Sequence, residues 1–371
     1  MSDTRKTTKP NVPNLRFPGF SGEWASRRIG EDCTVNMCKR IFANQTSEQG
    51  DVPFFKIGTI GGTPDAYITR DLFEEYKAKY NYPHEGEVMI TCAGTVGKTI
   101  VFDGEDAYFQ DSNIVWLSNP KQLYINSFLN YVLSRVNWNI LNSTTITRIY
   151  NDNLRELVIN YPSIKEQEKI VALLSLLDLR IAIQNKVIEK YESLIKALAH
   201  EIIGKNAPNT MLSECVCCTS STLKESDLSD GGAVPAYGAA GISGFIDSAL
   251  SDGDSILITK DGSGVGSLRY VVGHHSFVGT LNSMTPKEGV YLPYIYYALQ
   301  NVCFESYRTG QAIPHIYFKD YGKEALYCPS FDDQKRLAKG LEMIDAKIGI
   351  ERAAIQNLQL VKAYLLSAMF I

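Results

Sequence analysis

The chain has 371 residues, 44% hydrophobic and 11% aromatic, with 37 basic and 41 acidic side chains for a formal net charge of −4. That length and composition suit a folded protein of two or three domains and exclude a low-complexity or disordered chain. The near-neutral balance is not the strongly basic footprint of a protein that binds nucleic acid unaided. No window approaches eighteen uncharged apolar residues, so no membrane-spanning helix is expected, and the polar start from Met1 to Lys9 is no secretory signal.

In chain order, residues 1–13 read as a disordered tail closed by Pro10 and Pro13. Leu15, Phe17 and Phe20 then mark an arm, ending at Trp24, that packs onto a body. Strand-like runs follow at Val52–Ile57, Val88–Thr91 and Thr99–Phe102, with helices expected over 71–80 and 123–136 and a polar loop over 143–148. This first β-rich region, 14–161, ends at a long helical stretch, 162–205, free of Pro and Gly from Ser163 to Ile203.

A second β-rich region, 206–328, leads to a second long helix, 329–371. It repeats the latter half of the first region. Asp252–Ile258 matches the Gly86 turn and strand, and Gly262–Gly266 matches the loop Ala93–Gly97. Pro235–Gly241 has no evident counterpart, which suggests two related reading heads with different targets. Pro162/Pro329, Gln167/Gln334, Asp178/Asp345, Ile181/Ile348 and Leu198/Leu365 all keep an offset of 167 residues. An offset held over that span is an internal duplication.

Each long helix carries a coiled-coil seam with four-three spacing. In the first it runs through Ile170, Leu174, Leu177, Ile181, Gln184, Ile188, Tyr191, Ile195, Leu198 and Ile202. In the second it runs through Leu337, Leu341, Ile344, Ile348, Glu351, Ile355, Leu358, Lys362, Leu365 and Met369. Gln184 and Glu351 fill the same slot, a shared polar break. Ser163 and Ser330 are expected N-caps. Chain order makes the pair antiparallel with a globular region at each end. The expected fold is α+β: two β-rich domains separated by a long two-helix coiled coil of about 60 Å, with a pseudo-twofold internal repeat.

No catalytic constellation stands out. Cys92–Thr99 falls one residue short of a phosphate-binding loop, lacks its first Gly and leads into a strand instead of a helix. The better reading is a tight turn approached closely by another backbone. Pro64-Asp65 with Glu75-Tyr76-Lys77 has a nuclease outline, but the latter three fall in a helix-like stretch. His274-His275 reads as a surface turn. The eight cysteines include Cys215 and Cys218 at CxxC spacing with no second pair, so free thiols are expected and no metal.

Two unlike β-rich regions, each followed by a Pro-Ser helix with Gln five residues on, resemble the specificity subunit of a type I restriction-modification system. Leu15–Phe20, Gly86-Glu87-Val88, the Gly94-Thr95-Val96-Gly97 loop, Pro162–Gln167 and Pro329–Gln334 carry the resemblance, which covers nearly the whole chain. It implies two target-recognition domains on double-stranded DNA, each reading half of a split site, with the helices as spacer. It implies two methyltransferase subunits and a translocase-endonuclease subunit as partners, in a cytoplasmic complex. S-adenosylmethionine, ATP and Mg would belong to those partners, with no cofactor and no catalysis on this chain. A four-residue insertion after Gln184 should then change the gap between half-sites.

Candidate base-reading residues are Lys98, Thr145, Arg148 and Tyr150 in the first domain, and Lys260, Arg269, Gln311, His315, Tyr317 and Lys319 in the second. Arg and Lys suit guanine edges and Gln suits adenine. Tyr150 and Tyr317, present in both copies, are expected to pack the frame. A structural coiled-coil adaptor with two protein-binding heads, and a nuclease or nucleotide hydrolase, are the competing readings.

Overall fold

The structure, a computed structural model, describes residues 11–138, 148–310 and 313–371. The chain forms two compact units, Met1–Ile181 with Asn357–Ile371, and Ala182–Gln356. Each long helix is shared between them, one half to each.

The first unit contains β1 (Ala25–Arg28), α1 (Ile29–Asp32), β2 (Thr34–Met37), β3 (Val52–Phe55), β4 (Tyr67–Ile68), α2 (Arg70–Lys79), β5 (Val88–Thr91) and β6 (Thr99–Val101). There follow β7 (Tyr108–Phe109), β8 (Ile114–Ser118), α3 (Asn126–Ser134), α4 (Asn151–Glu156), β9 (Val158–Tyr161) and the start of α5 (Ile164–Ala199). Its main sheet has the order β2-β8-β5-β6, and both faces are covered. The two-residue alternation of a strand sends Met89, Ile114 and Trp116 to one core, and Val88, Ile90, Val115 and Leu117 to the other.

The second unit contains β10 (Thr210–Met211), α6 (Leu212–Cys215), β11 (Val216–Ser220), β12 (Val234–Gly238), β13 (Gly241–Ile246), β14 (Ser255–Thr259) and β15 (Leu268–Val271). Then come β16 (Ser276–Phe277), β17 (Leu281–Pro286), α7 (Leu292–Ala298), α8 (Phe318–Tyr321), β18 (Ala325–Leu326) and the start of α9 (Phe331–Ala368). The sheets β1-β9, β2-β8-β5-β6 and β4-β3-β7 of the first unit recur here as β10-β18, β11-β17-β14-β15 and β13-β12-β16.

The duplication is therefore strand for strand, and it corrects the expectation that Pro235–Gly241 stands alone. That segment holds most of β12 and the turn into β13, and β12 pairs antiparallel with β13 and parallel with β16. β3 does the same with β4 and β7. Among the described residues α2, which buries Phe73 completely, has no counterpart, since Asp247–Asp254 in the second unit holds no helix.

Two repeated polar contacts join each long helix to its domain. The fully buried Gln167 side chain accepts from the Ile125 amide at 2.8 Å and donates to the Leu123 and Pro162 carbonyls, both at 3.0 Å. Gln334 accepts from the Tyr291 amide at 2.8 Å and donates to the Pro329 carbonyl at 2.9 Å and that of Gly289 at 3.3 Å. About three turns further along each helix, the Tyr131 hydroxyl donates to Asp178 at 2.7 Å, and Tyr297 to Asp345 at 2.8 Å. The role of these offset-167 positions is not legible in one dimension, since the groups that anchor them to the domain, Ile125, Tyr131, Tyr291 and Tyr297, lie over forty residues upstream.

The helices pair antiparallel within each unit. In the first, Ile170 and Leu174 share a core with Met369 and Phe370, while Asp178 further along α5 meets Lys362 earlier on α9. In the second, Gln184 meets Glu351, and Ile188, Ile195, Leu341, Ile348 and Ile355 are buried. Leu177, Ile181, Leu337 and Ile344 are half-buried along the same faces. The arm docks through Phe17 and Trp24, which join the core of Ile170 and Leu174, whereas Leu15, expected to pack with them, is exposed. The Leu15 amide donates to the Ala368 carbonyl at 2.8 Å, and Arg16 forks onto the buried Glu166 carboxylate with two contacts of 2.7 Å.

Candidate nucleic-acid interface

One hairpin loop in each unit gathers most of the candidate residues. In the first unit β5 runs into the turn Cys92–Lys98. Its Gly97 amide closes on the Thr91 carbonyl at 2.8 Å with φ of 82°. A Cβ on Gly97 would lie 2.1 Å from the Trp138 ring, so only glycine fits. The close neighbour is thus a side chain, where another backbone was expected. The second unit repeats this turn: the Gly266 amide meets the Thr259 carbonyl at 2.9 Å, φ is 85°, and Phe304 stands where Trp138 does.

A later segment is then laced to the loop by a backbone bond. The Ile149 amide donates to the Cys92 carbonyl at 2.8 Å, bringing residues 148–150 alongside. In the second unit the Ile316 amide donates to the Lys260 carbonyl, and the Gly262 amide to that of Pro314, both at 2.9 Å. These bonds assemble Lys260, His315, Tyr317 and Lys319 on one surface. Tyr317 is flanked by His315, ring centroids 5.1 Å apart, and by the Lys319 ammonium 5.2 Å above its ring.

Both tyrosines correct the expectation of frame packing. Tyr150 is 61% exposed and Tyr317 47%, each just ahead of a short helix, α4 or α8. The buried frame residues are their neighbours Ile149 and Ile316. Arg148 donates to the Ser112 hydroxyl at 3.2 Å. Lys98 is turned inward at its tip, its ammonium donating to the Ile60 carbonyl at 2.5 Å, so it braces the loop. Arg269 lies on β15, exposed, with its guanidinium beside Gly241. Thr145 and Gln311 lie outside the described residues.

The segments that imitate catalytic motifs take up structural roles. Strand β6 follows the Cys92–Lys98 turn, so no helix N-terminus faces a phosphate there. Asp65 pairs with Lys56 at 3.1 Å, and Glu75 with Lys79 at 2.8 Å along α2. Among the described residues no cluster of three or more His, Cys, Asp or Glu is placed to hold a metal ion. The surface turn expected at His274-His275 holds for His274 alone. His275 is fully buried, its Nδ1 donating to the Gly273 carbonyl at 2.8 Å and its Nε2 accepting from the Ser255 hydroxyl at 2.6 Å.

A duplicated α+β protein, with two β-rich domains each continuing into a long helix of one antiparallel pair, is the class these features define. The profile of the type I restriction modification DNA specificity domain matches residues 21–193 and 216–360, and the chain belongs to that family. A putative type I restriction enzyme specificity subunit of Haemophilus influenzae is 51% identical over 146 residues, which are 39% of this chain and 38% of that protein. A putative type I specificity subunit of Mycoplasma genitalium is 26% identical over 251 residues, 61% of this chain and 65% of that protein. The chain thus spans under two thirds of either relative. The crystal structure of a type I restriction-modification S subunit from M. genitalium shares the fold, with a TM-score of 0.62 at 22% identity over 97% of this chain and 99% of that one. No helix among the described residues is long and apolar enough to cross a membrane.

Proposed function

We propose that the chain is the DNA-specificity subunit of a type I restriction-modification complex, each β-rich domain reading one half of a bipartite site in double-stranded DNA. The observation that carries this reading is the strand-for-strand repetition of the domain, with the loop-and-tyrosine surface rebuilt in each copy from different polar residues. Arg148 and Tyr150 serve one half-site, and Lys260, Arg269, His315, Tyr317 and Lys319 the other, by hydrogen bonding to base edges and by stacking. The helix pair sets the spacing between them. Catalysis, with S-adenosylmethionine, ATP and Mg, lies on the partner subunits.

The long helices support docking of two methyltransferase subunits, with a translocase-endonuclease joining the larger assembly. Their outward apolar residues recur at the offset of the repeat: Leu176 and Met343 are 65% and 68% exposed, Ile183 and Ile350 46% and 62%. Ile164 with Phe331 and Leu194 with Val361 repeat the pattern. Large apolar side chains left in water at equivalent places suit two copies of one partner. Those partners would also supply most phosphate contacts, since residues 206–328 carry only 7 basic against 12 acidic side chains.

Single-molecule sequencing of methylated genomic DNA from cells with and without this gene tests the reading. A split methylated motif that vanishes with the gene is expected. An unchanged methylome would overturn it and favour an adaptor with two protein-binding heads.

A further inference from the structure

Each unit presents a second loop that neither motif nor periodicity marks. Strand β2 pairs antiparallel with β8, and β11 with β17. Both β2 and β11 run on into a short 3₁₀ turn, Ala43–Gln45 in the first unit and Glu225–Asp227 in the second. The residue ahead of each turn is fixed in the same way. The Phe42 amide donates to the Gln45 side chain at 3.0 Å, and the Lys224 amide to that of Asp227 at 2.9 Å. Arg40 and Phe42 thus occupy the stations of Thr222 and Lys224, and all four are exposed. Between them Ile41 is buried and Leu223 half-buried, so the same side of the chain faces inward in both copies.

One connecting segment joins this loop to the loop-and-tyrosine surface of its own unit. In the first, Arg40 Nε donates to the half-buried Asp111 carboxylate at 2.6 Å. The next residue, Ser112, accepts from Arg148 at 3.2 Å, and the Asn113 carbonyl accepts from the Cys92 amide at 2.7 Å. Arg40 and Arg148 therefore stand on adjacent residues of one turn. In the second unit the Gly279 amide donates to the Leu223 carbonyl at 2.8 Å, and the Lys260 amide to that of Thr280 at 2.9 Å. The second loop and the hairpin loop lie side by side in both copies.

We propose that this loop is a second base-reading element of each domain, with Arg40 and Phe42 serving one half-site and Lys224 the other. The inference rests on the reading of the chain as a DNA-specificity subunit. Asp111 engages Arg40 through Nε, and the two terminal amino groups of this exposed side chain remain for a bidentate contact with guanine O6 and N7. Asp111 is then a positioning residue: it holds the guanidinium before DNA arrives, so less side-chain freedom is lost on binding. Phe42, 58% exposed, offers an apolar contact to a thymine methyl, and Lys224 suits a guanine edge. Different side chains at equivalent stations of one backbone are what two different half-sites require.

The test assembles the full chain and its variants with the methyltransferase subunits and titrates them, at one fixed salt concentration, with duplexes carrying the methylated motif of the parent altered one base pair at a time. Arg40→Ala should bind the parent site about ten- to a hundredfold more weakly and stop distinguishing one base pair of one half, with the other half read as before. Arg40→Lys, which keeps the charge and loses the fork, should recover only part. Asp111→Asn should weaken discrimination at that same base pair, which a merely structural role would not single out. Lys224→Ala should place its loss in the other half. Unchanged discrimination in Arg40→Ala or Lys224→Ala would overturn the proposal. So would a loss equal over all sequences with a shallower salt dependence, the mark of a phosphate contact. A parent complex that reads no split site would overturn the specificity-subunit reading as well.

Discussion

Gln184 and Glu351 stand 167 residues apart and meet side chain to side chain, Gln184 Nε2 donating to Glu351 at 2.9 Å. The two residues occupy the same slot of the repeat and both belong to the second unit. Lys347 adds an ion pair to Glu351 at 3.1 Å, while the Gln184 carbonyl oxygen is buried without a hydrogen bond. Such a polar pair in an apolar seam fixes register at a cost in stability. Replacing both with Leu should raise stability by about 1 kcal/mol and loosen the register. Chemical denaturation measures the first effect and cysteine cross-linking across the seam the second; a destabilised double variant would contradict the assignment.

Gln167, fully buried, makes three hydrogen bonds, two of which tie α5 to the segment at the start of α3. Gln167→Ala strands the Ile125 amide and two carbonyls, and should cost about 2–4 kcal/mol. Gln334→Ala should cost a similar amount in the second unit, and each loss should appear as a lowered urea midpoint. Equal stability of either variant with the parent chain would show the contact to be idle.

Arg16 is the counter-charge of the buried Glu166 carboxylate. Removing one member of such a pair leaves a charge without compensation, so Arg16→Met should lose about 3–5 kcal/mol. Arg16→Met with Glu166→Gln should recover much of it. Denaturation of the two variants gives the comparison, and failure of the second change to help would assign the loss to the arm's packing.

Asp345 is raised above the ordinary aspartate range by burial, with the Tyr297 hydroxyl partly offsetting that shift. The native state therefore keeps this proton to higher pH than the unfolded chain. Its contribution to stability is full below the unfolded pKa and falls as pH rises through the folded one. Asp345→Asn, which can still accept from Tyr297, should remove that dependence and gain stability at neutral pH. Thermal midpoints from pH 4 to pH 7 check the sign.

Tyr150 and Tyr317 are exposed enough that Ala at either should change stability by less than about 0.5 kcal/mol. If they stack on DNA, each should cost about 1–3 kcal/mol of binding in the reconstituted complex. Titration at one fixed salt concentration, against sites altered in one half at a time, should place the Tyr150 loss in one half-site and the Tyr317 loss in the other.

The sequence by itself determined the duplication, the two seams and their polar notch, because a helix periodicity and a fixed offset are one-dimensional quantities. It also located the loops at Gly97 and Gly266, whose glycines answer to local backbone geometry. Tertiary structure alone decided which polar groups meet. The Ile125 amide that meets Gln167 and the Tyr131 hydroxyl that meets Asp178 lie 42 and 47 residues away in the chain. It also turned Tyr150 and Tyr317 outward while burying Ile149 and Ile316, because the backbone bonds to Cys92 and Lys260 fix which side of the segment faces the sheet. The equivalence of β12 with β3 emerged only from strand pairing, since a pleated ladder is held by backbone groups and tolerates almost any change of side chain.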